Sequence, residues 1–387
     1  MDTGEKVKRL RKLRGLSQRE LAEASGVPLV TIKSLEQGKS RTARMETLRK
    51  LAVSLRTTTM RLAEGSSAAE PTSEGPRWAA VARSVQGVPR EPDMGNDQPT
   101  IEGVRRALSS GVDLFGEHRF EELSRVLPLI LRDAEGLGGE GRQVRLRALQ
   151  LTAGALVHTR QFDVAEVAIQ RALNEATDRL ECAPIISTQH WLLMRTGQLD
   201  GALDLAERWA DEVEPRISRA TVTELCTWGR LLLRVAAAAV RNNNSGQADH
   251  ALRLARGVAA TLGRECRVET ENLSTFGPTT VRIKGTEHAV IADRPDVVLR
   301  MAENMPVYSV KPSASSRRRH RLDVACAHAK LGQHSEAVAE LRNLQRVAPE
   351  WLRLQQYARD IVGLVVEGRR TLTPEMREVA RAVRFER

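Results

Sequence analysis

Between Pro28 and Gln37 the sequence PLVTIKSLEQ sets Ile32 and Leu35 three residues apart, the spacing of one buried helix face. With those two turned inward, Val30, Lys33, Ser34 and Gln37 face outward and Leu29 stands at the helix start. An aliphatic group, an ammonium, a hydroxyl and an amide on one stripe can pack, donate and accept. They include no nucleophile beside a base, so the stripe suits recognition and not bond making. The rest of the chain adds no catalytic constellation. It has no HExxH, no GxSxG, no GxxxxGK and no GxGxxG after a strand. The segment GLGGEG (136–141) lacks a following Lys-Ser/Thr and reads as a loop between helices. The eight histidines are scattered, and His320 and His328 do not have a ligand spacing. Cys182, Cys226, Cys266 and Cys326 lie forty or more residues apart, which reads as reduced, mostly buried thiols. The expectation is a protein that is not an enzyme and holds no metal or cofactor.

The elements that position the stripe are legible on either side of it. Ser17 followed by Glu20 is a capping box that starts a helix. Leu21, Ala22 and Ala24 give that helix apolar and small contact positions, with Ala22 small where the next helix crosses. Gly26 ends it where positive φ is needed, Val27 plugs the turn, and Pro28 opens the second helix. The surrounding charge is one-sided. Residues 1–62 hold fifteen Lys/Arg against six Asp/Glu, and the whole chain of 387 residues carries +11. Most of the excess therefore sits in about one-sixth of the sequence, which implies a polyanionic partner. No amphipathic helix with a bulky aromatic face accompanies it, so nucleic acid fits better than a membrane surface.

Residues 5–62, with RKLRGLSQRELA, TIKSLEQG and METLRKLAVSL, resemble the Cro/C1-type (XRE) family of helix-turn-helix regulators. The resemblance implies five short helices in a lambda-repressor-like arrangement, with the third in the DNA major groove. It then implies that Leu29 and Val30 pack on thymine methyls and that Lys33 donates to guanine or phosphate. Ser34 and Gln37 complete the reading face. Gln18 takes the place of the family's phosphate-binding glutamine at a helix N-terminus, and Lys39, Arg41 and Arg44 track the backbone from the following loop. The family also links an arginine of the first helix to the glutamate before the turn glycine, which here are Arg11 and Glu36. The outward face is poor in Gln, Asn and Arg, so the sequence preference it implies is modest or methyl-based.

Three regions follow from composition: 1–64, the DNA-binding head; 65–99, rich in Gly, Pro and Ser, a flexible linker with a brief helix around Trp78–Val85; and 100–387, helical throughout with a loop-rich interruption near 264–280. The third region repeats internally. A residue at a helix junction is followed five positions later by a small or aliphatic one at Gly332/Ala337, Gly197/Ala202 and Gly246/Ala251. Weaker copies occur at His118/Leu123, Arg160/Ala165 and Asp293/Val298. The pattern resembles degenerate tetratricopeptide repeats, since the spacings exceed the standard length. Stacked pairs cover one another's apolar faces and make an α-solenoid, so the fold class is all-α.

First helices of such pairs line a concave groove, where Arg147, Gln150, Ser187, Trp191 and Met194 are the candidates. The run RRRHR (317–321) reads as a solvated helix face, with Ser315 or Ser316 as its cap. An XRE head on such repeats resembles the peptide-sensing regulators of Gram-positive bacteria. It also looks like multi-repeat regulators of GC-rich bacteria that carry a stretch similar to TFGPTTVRI (275–283). The expected partners are double-stranded DNA, a peptide, small-molecule or protein effector, and a second copy in a homodimer, with no membrane. The alternative is an interaction scaffold whose head localises a bound protein to DNA. No signal peptide or apolar span is read, so the expected location is the cytoplasm.

Overall fold

The computed structural model describes residues 3–38, 43, 45–57, 59, 62, 75–87, 98–267, 274–305, 311–369 and 371–385. The head contains α1 (Thr3–Leu13), α2 (Gln18–Ser25), α3 (Leu29–Glu36) and α4 (Met45–Ser54), with Thr59 and Leu62 also helical. The Ser17–Glu20 capping box is formed at α2, and Gly26 ends that helix at φ 63°. Val7, Leu21, Ile32, Leu35, Leu48, Leu51 and Leu55 close one small core. Gly4 lets α1 cross α3, because a Cβ there would lie 1.9 Å from the Leu35 carbonyl oxygen.

Helix α5 (Gly75–Val85) falls within the span read as linker, and it buries Trp78, Val81 and Val85 in the core of the following region. The solenoid then runs as six antiparallel pairs. These are α6 (Ile101–Glu117) with α7 (Phe120–Gly136), α8 (Arg142–His158) with α9 (Phe162–Glu175), and α10 (Arg179–Thr196) with α11 (Leu199–Glu212). They continue as α12 (Val222–Arg241) with α13 (Ser245–Leu262), α14 (Pro278–Ile291) with α15 (Pro295–Glu303), and α16 (Ala314–Lys330) with α17 (His334–Val347). Helices α18 (Pro349–Arg353), α19 (Gln356–Glu367) and α20 (Pro374–Ala382) finish the chain.

The same turn joins every pair. His118, Arg160, Gly197, Asn243, Asp293 and Gly332 all have positive φ, between 58° and 81°. Five residues on, Leu123, Ala165, Ala202, Ala248, Val298 and Ala337 are fully buried. A left-handed residue reverses the chain, and the residue five later enters the seam where the second helix packs back on the first. The fourth junction corrects the sequence register. It is Asn243/Ala248, not Gly246/Ala251, because the Asn244 side chain caps α13 and draws Gly246 inside that helix.

The loop-rich interruption is a built feature. Strands β1 (Cys266–Arg267) and β2 (Thr275–Phe276) pair antiparallel, and the Phe276 ring is fully buried against Gly229 of α12, where a Cβ would come within 2.1 Å of it. Glu265 accepts from the main-chain N–H groups of Thr279 and Thr280 and so caps α14. The TFGPTT stretch thus serves packing and capping.

The first and last turns of the solenoid meet. His118 hydrogen-bonds Ser315 (3.0 Å) and accepts from Arg318, while the Glu121 main-chain N–H donates to Glu350 at 3.2 Å. An aromatic cluster lies beneath this closure: Phe115, His118, Phe120, His158, Trp191 and Trp351, with ring centroids between 4.4 and 6.4 Å. Among the described residues no helix is long and apolar enough to cross a membrane.

Candidate nucleic-acid interface

The outward stripe of α3 lies where helical periodicity puts it. Val30 is 74% exposed, Lys33 and Gln37 are exposed, and Leu29 and Ser34 are half-buried. A valine so exposed on a structured helix loses nothing by remaining bare and gains by meeting an apolar surface such as a thymine methyl. The structure brings these five residues onto one face. Lys39, Arg41 and Arg44 lie outside the described residues.

The face is held from behind by an ion pair. Arg11 of α1 donates from Nε to Glu36 Oε1 (2.6 Å) and from Nη2 to Oε2 (2.8 Å), and its Nη1 donates to the Leu16 carbonyl (2.8 Å). The Gln18 amide, at the start of α2, donates to the same Glu36 Oε2 at 2.8 Å. One carboxylate at the end of α3 therefore ties down α1 and α2. Burial pushes the Glu36 carboxyl up, but the hydrogen bonds from Arg11 and Gln18 and the nearby charges of Arg11 and Lys8 outweigh it and hold the pKa below the ordinary value. The Arg11 guanidinium is raised by its hydrogen bond to Glu36 against the cost of burial. The Gln18 amide, expected from the sequence to meet a phosphate, is thus partly engaged within the head.

The head does not stand apart from the solenoid. Thr59 Oγ1 donates to the Arg241 carbonyl at 2.9 Å, Arg49 Nε reaches the Val240 carbonyl at 3.4 Å, and Glu46 pairs with Lys330 at 3.3 Å. Met45 lies beside the Gly197 turn. Helix α4 thus lies across the C-terminal ends of α10, α12 and α16, while Val30, Lys33 and Gln37 of α3 stay exposed. Nothing in the sequence marked Thr59 or Arg49 for this, since both read as ordinary residues of a small basic domain.

The groove candidates separate. Ser187 is buried and accepts from Arg234 Nε at 3.0 Å, Trp191 packs on His158, and Met194 packs against the core formed by α10–α14. Gln150 is buried with no hydrogen-bond partner for its Oε1, and Arg147 is exposed. The run RRRHR is solvated at its ends, where Arg317 and Arg321 are exposed, and half-buried at Arg318, Arg319 and His320. Arg317 donates to the Pro312 carbonyl, Arg318 to His118, and Arg319 stacks 4.3 Å over the Tyr357 ring; His320 bonds Thr286 and Arg321 pairs with Glu340. The run lies on the first helix of the sixth pair, where Arg318 meets the solenoid closure and Arg319 and His320 turn toward the packed interior. Ser313, not Ser315 or Ser316, caps that helix.

Sequence reasoning expected a groove on these first helices but missed the basic residues that turn into it. A signal was present: Arg195 and Arg241 each stand two residues before a junction. Among the described residues no group of His, Cys, Asp and Glu could hold a metal ion.

Residues 7–61 match the helix-turn-helix family model. With the capped α2, the Gly26 turn and the exposed α3 stripe, they form a helix-turn-helix DNA-binding domain. None of the curated proteins matches the sequence. Among solved structures, Bacillus thuringiensis PlcR in complex with the peptide PapR7 and DNA aligns with 88% of this chain and 98% of its own, at 13% identity and a TM-score of 0.38.

Proposed function

We propose that this chain is a DNA-binding transcriptional regulator whose α3 reads the major groove and whose repeat domain takes an effector that changes DNA affinity. The observation that carries the reading is the α3 stripe, with Val30 74% exposed on a helix braced by the Arg11–Glu36 pair. Such bracing presents Leu29, Val30, Lys33, Ser34 and Gln37 as one rigid surface, which base readout needs. Gln18, with Lys39, Arg41 and Arg44, supplies backbone contacts in this reading. One head makes few base contacts, so two copies on paired half-sites multiply the affinity.

The test is selection of genomic fragments by the full chain at about 150 mM salt, where non-specific electrostatics weaken. Enrichment of a few sites with a two-fold repeat supports a dimeric regulator. Recovery of unselected DNA overturns it.

A further inference from the structure

The first helices of the third to sixth pairs turn charge inward. Arg195 of α10, Arg234 and Arg241 of α12, Lys284 of α14 and Arg319 of α16 share one space, and Arg160 joins them from the turn after α8. Arg160 and Arg319 both repel Arg195, while Arg241, Lys284 and Arg319 all attract Glu287. These side chains are walled by protein yet keep contact with solvent: Arg319 is 32% exposed, Lys284 25% and Arg241 24%. With α6 and α7 closed onto α16 and α18, that combination describes an enclosed, solvent-reached interior.

The charges in it do not balance. Glu287 is shared between Arg241 and Lys284, the latter at 2.6 Å. Asp323 lies 3.7 Å from Arg319 Nε, and neither of its oxygens accepts a hydrogen bond. Among the described residues, Arg160 and Arg195 have no carboxylate within ion-pair range, and Arg160 Nε is covered without an acceptor. Burial, then repulsion by Arg160 and Arg319, pushes the Arg195 guanidinium down to about 10. Uncompensated cations so placed are costly, and an anion seated among them removes the cost.

We propose that the solenoid interior binds a small, multiply charged oxyanion, a phosphate- or carboxylate-bearing molecule, between Arg160, Arg195 and Arg319. Guanidinium forks match both groups with paired hydrogen bonds. Closure of the solenoid excludes duplex DNA and folded protein, so the ligand is small. Trp191, packed on His158 beside Arg195, gives the site an aromatic wall. This inference rests on the reading that the repeat domain takes an effector, and it supplies that effector's chemistry.

The test uses the full chain, with pyrophosphate and citrate as probes and sodium chloride at matched ionic strength as control. Titration calorimetry and tryptophan-monitored melting read the result. We expect saturable binding of one probe, with pyrophosphate alone marking a phosphate ligand and citrate alone a carboxylate. Arg195→Met and Arg160→Met should each weaken it by at least about tenfold, while Arg195→Met melts no lower than the parent because it removes an unpaired charge. Binding unchanged in both variants, or a shift that chloride reproduces, overturns the proposal. If no probe binds while genomic selection still enriches sites, the anion site falls and the regulator reading stands. If a probe binds through Arg195 while selection enriches nothing, the reverse holds.

Discussion

Glu36→Ala removes more than a surface charge. The Glu36 side chain is 2% exposed and accepts three hydrogen bonds, two from Arg11 and one from Gln18. Its loss leaves a guanidinium only 10% exposed with a single remaining bond, to the Leu16 carbonyl. Breaking a fully buried pair costs about 3–5 kcal/mol. This pair lies at the rim of a small domain, where water enters once the carboxylate is gone, so about 2–3 kcal/mol is expected. Intrinsic fluorescence cannot read it, because residues 1–62 contain no Trp, Tyr or Phe. Amide hydrogen exchange can: protection at Leu21 and Ile32 should fall roughly 30- to 150-fold, at 1.4 kcal/mol per tenfold. Replacing both partners, Arg11→Met with Glu36→Leu, should recover most of the loss, because neither group is then left buried and unpaired. The depressed Glu36 pKa makes the contribution acid-sensitive: it is present above the ordinary carboxylate range and lost as pH falls through the folded-state value. A change in protection of less than about threefold would refute the argument that this carboxylate holds three helices together.

Lys33→Ala combined with Ser34→Ala should abolish site selection in the genomic assay while leaving the tryptophan-monitored melt unchanged; undiminished selection would show that the reading face lies elsewhere. Burial depresses the pKa of His158 to about 3, with a further push from Arg195, and that of His320 to about 4, with a further push from Arg321. The unfolded chain therefore protonates first as pH falls below about 6.5, and each histidine removes about 2 kcal/mol of stability between pH 6.5 and 5. Asp323, which burial pushes up to about 7, works in the opposite direction. His158→Phe should flatten the acid slope of the melting temperature, and an unchanged slope counts against a neutral buried His158. Gly229→Ala forces a methyl into the Phe276 ring and should cost about 1–3 kcal/mol, read by tryptophan fluorescence; a parental melt would mean that β2 moves aside freely.

Local signals with short reach were legible in the sequence. Ser17, Glu20 and Gly26 act within one helix and its turn, so their roles follow from neighbours a few residues away. The pair repeat is equally local, and five of the six junction positions follow from it; the fourth slipped by three residues because a glycine outweighed the Asn243–Asn244 turn and cap. What was not legible depends on distance. Arg318 looks solvated until His118, two hundred residues earlier, arrives through closure of the solenoid. The same holds for Trp78, which sits in a Pro- and Gly-rich stretch yet is 1% exposed once α7 covers it. Periodicity specifies the faces of a helix but not which face meets which across a superhelix.

The proposed interior site and the head are joined at Arg241. Its guanidinium pairs with Glu287, which also holds Lys284, and its carbonyl accepts Thr59 of the head. Lys330, on the same helix as Arg319, pairs with Glu46 of the head and with Asp293 at the fifth junction. Each of these tethers is weak: an ion pair with Glu46 40% exposed contributes less than about 1 kcal/mol, and the threonine bond about 1 kcal/mol. A latch of that size is one that a ligand with about 1–3 kcal/mol of differential affinity can open or close, a 5- to 150-fold shift. An extensive apolar seam could not be moved by so little. Linkage then requires reciprocity: whatever factor the anion applies to operator affinity, operator DNA must apply to anion affinity. Pyrophosphate or citrate titrated into the free chain and into its operator complex should therefore differ by the factor seen in DNA binding. Thr59→Val with Glu46→Gln should reduce both differences together. Equal probe affinity with and without DNA would leave the interior site and the reading helix as two independent devices on one chain.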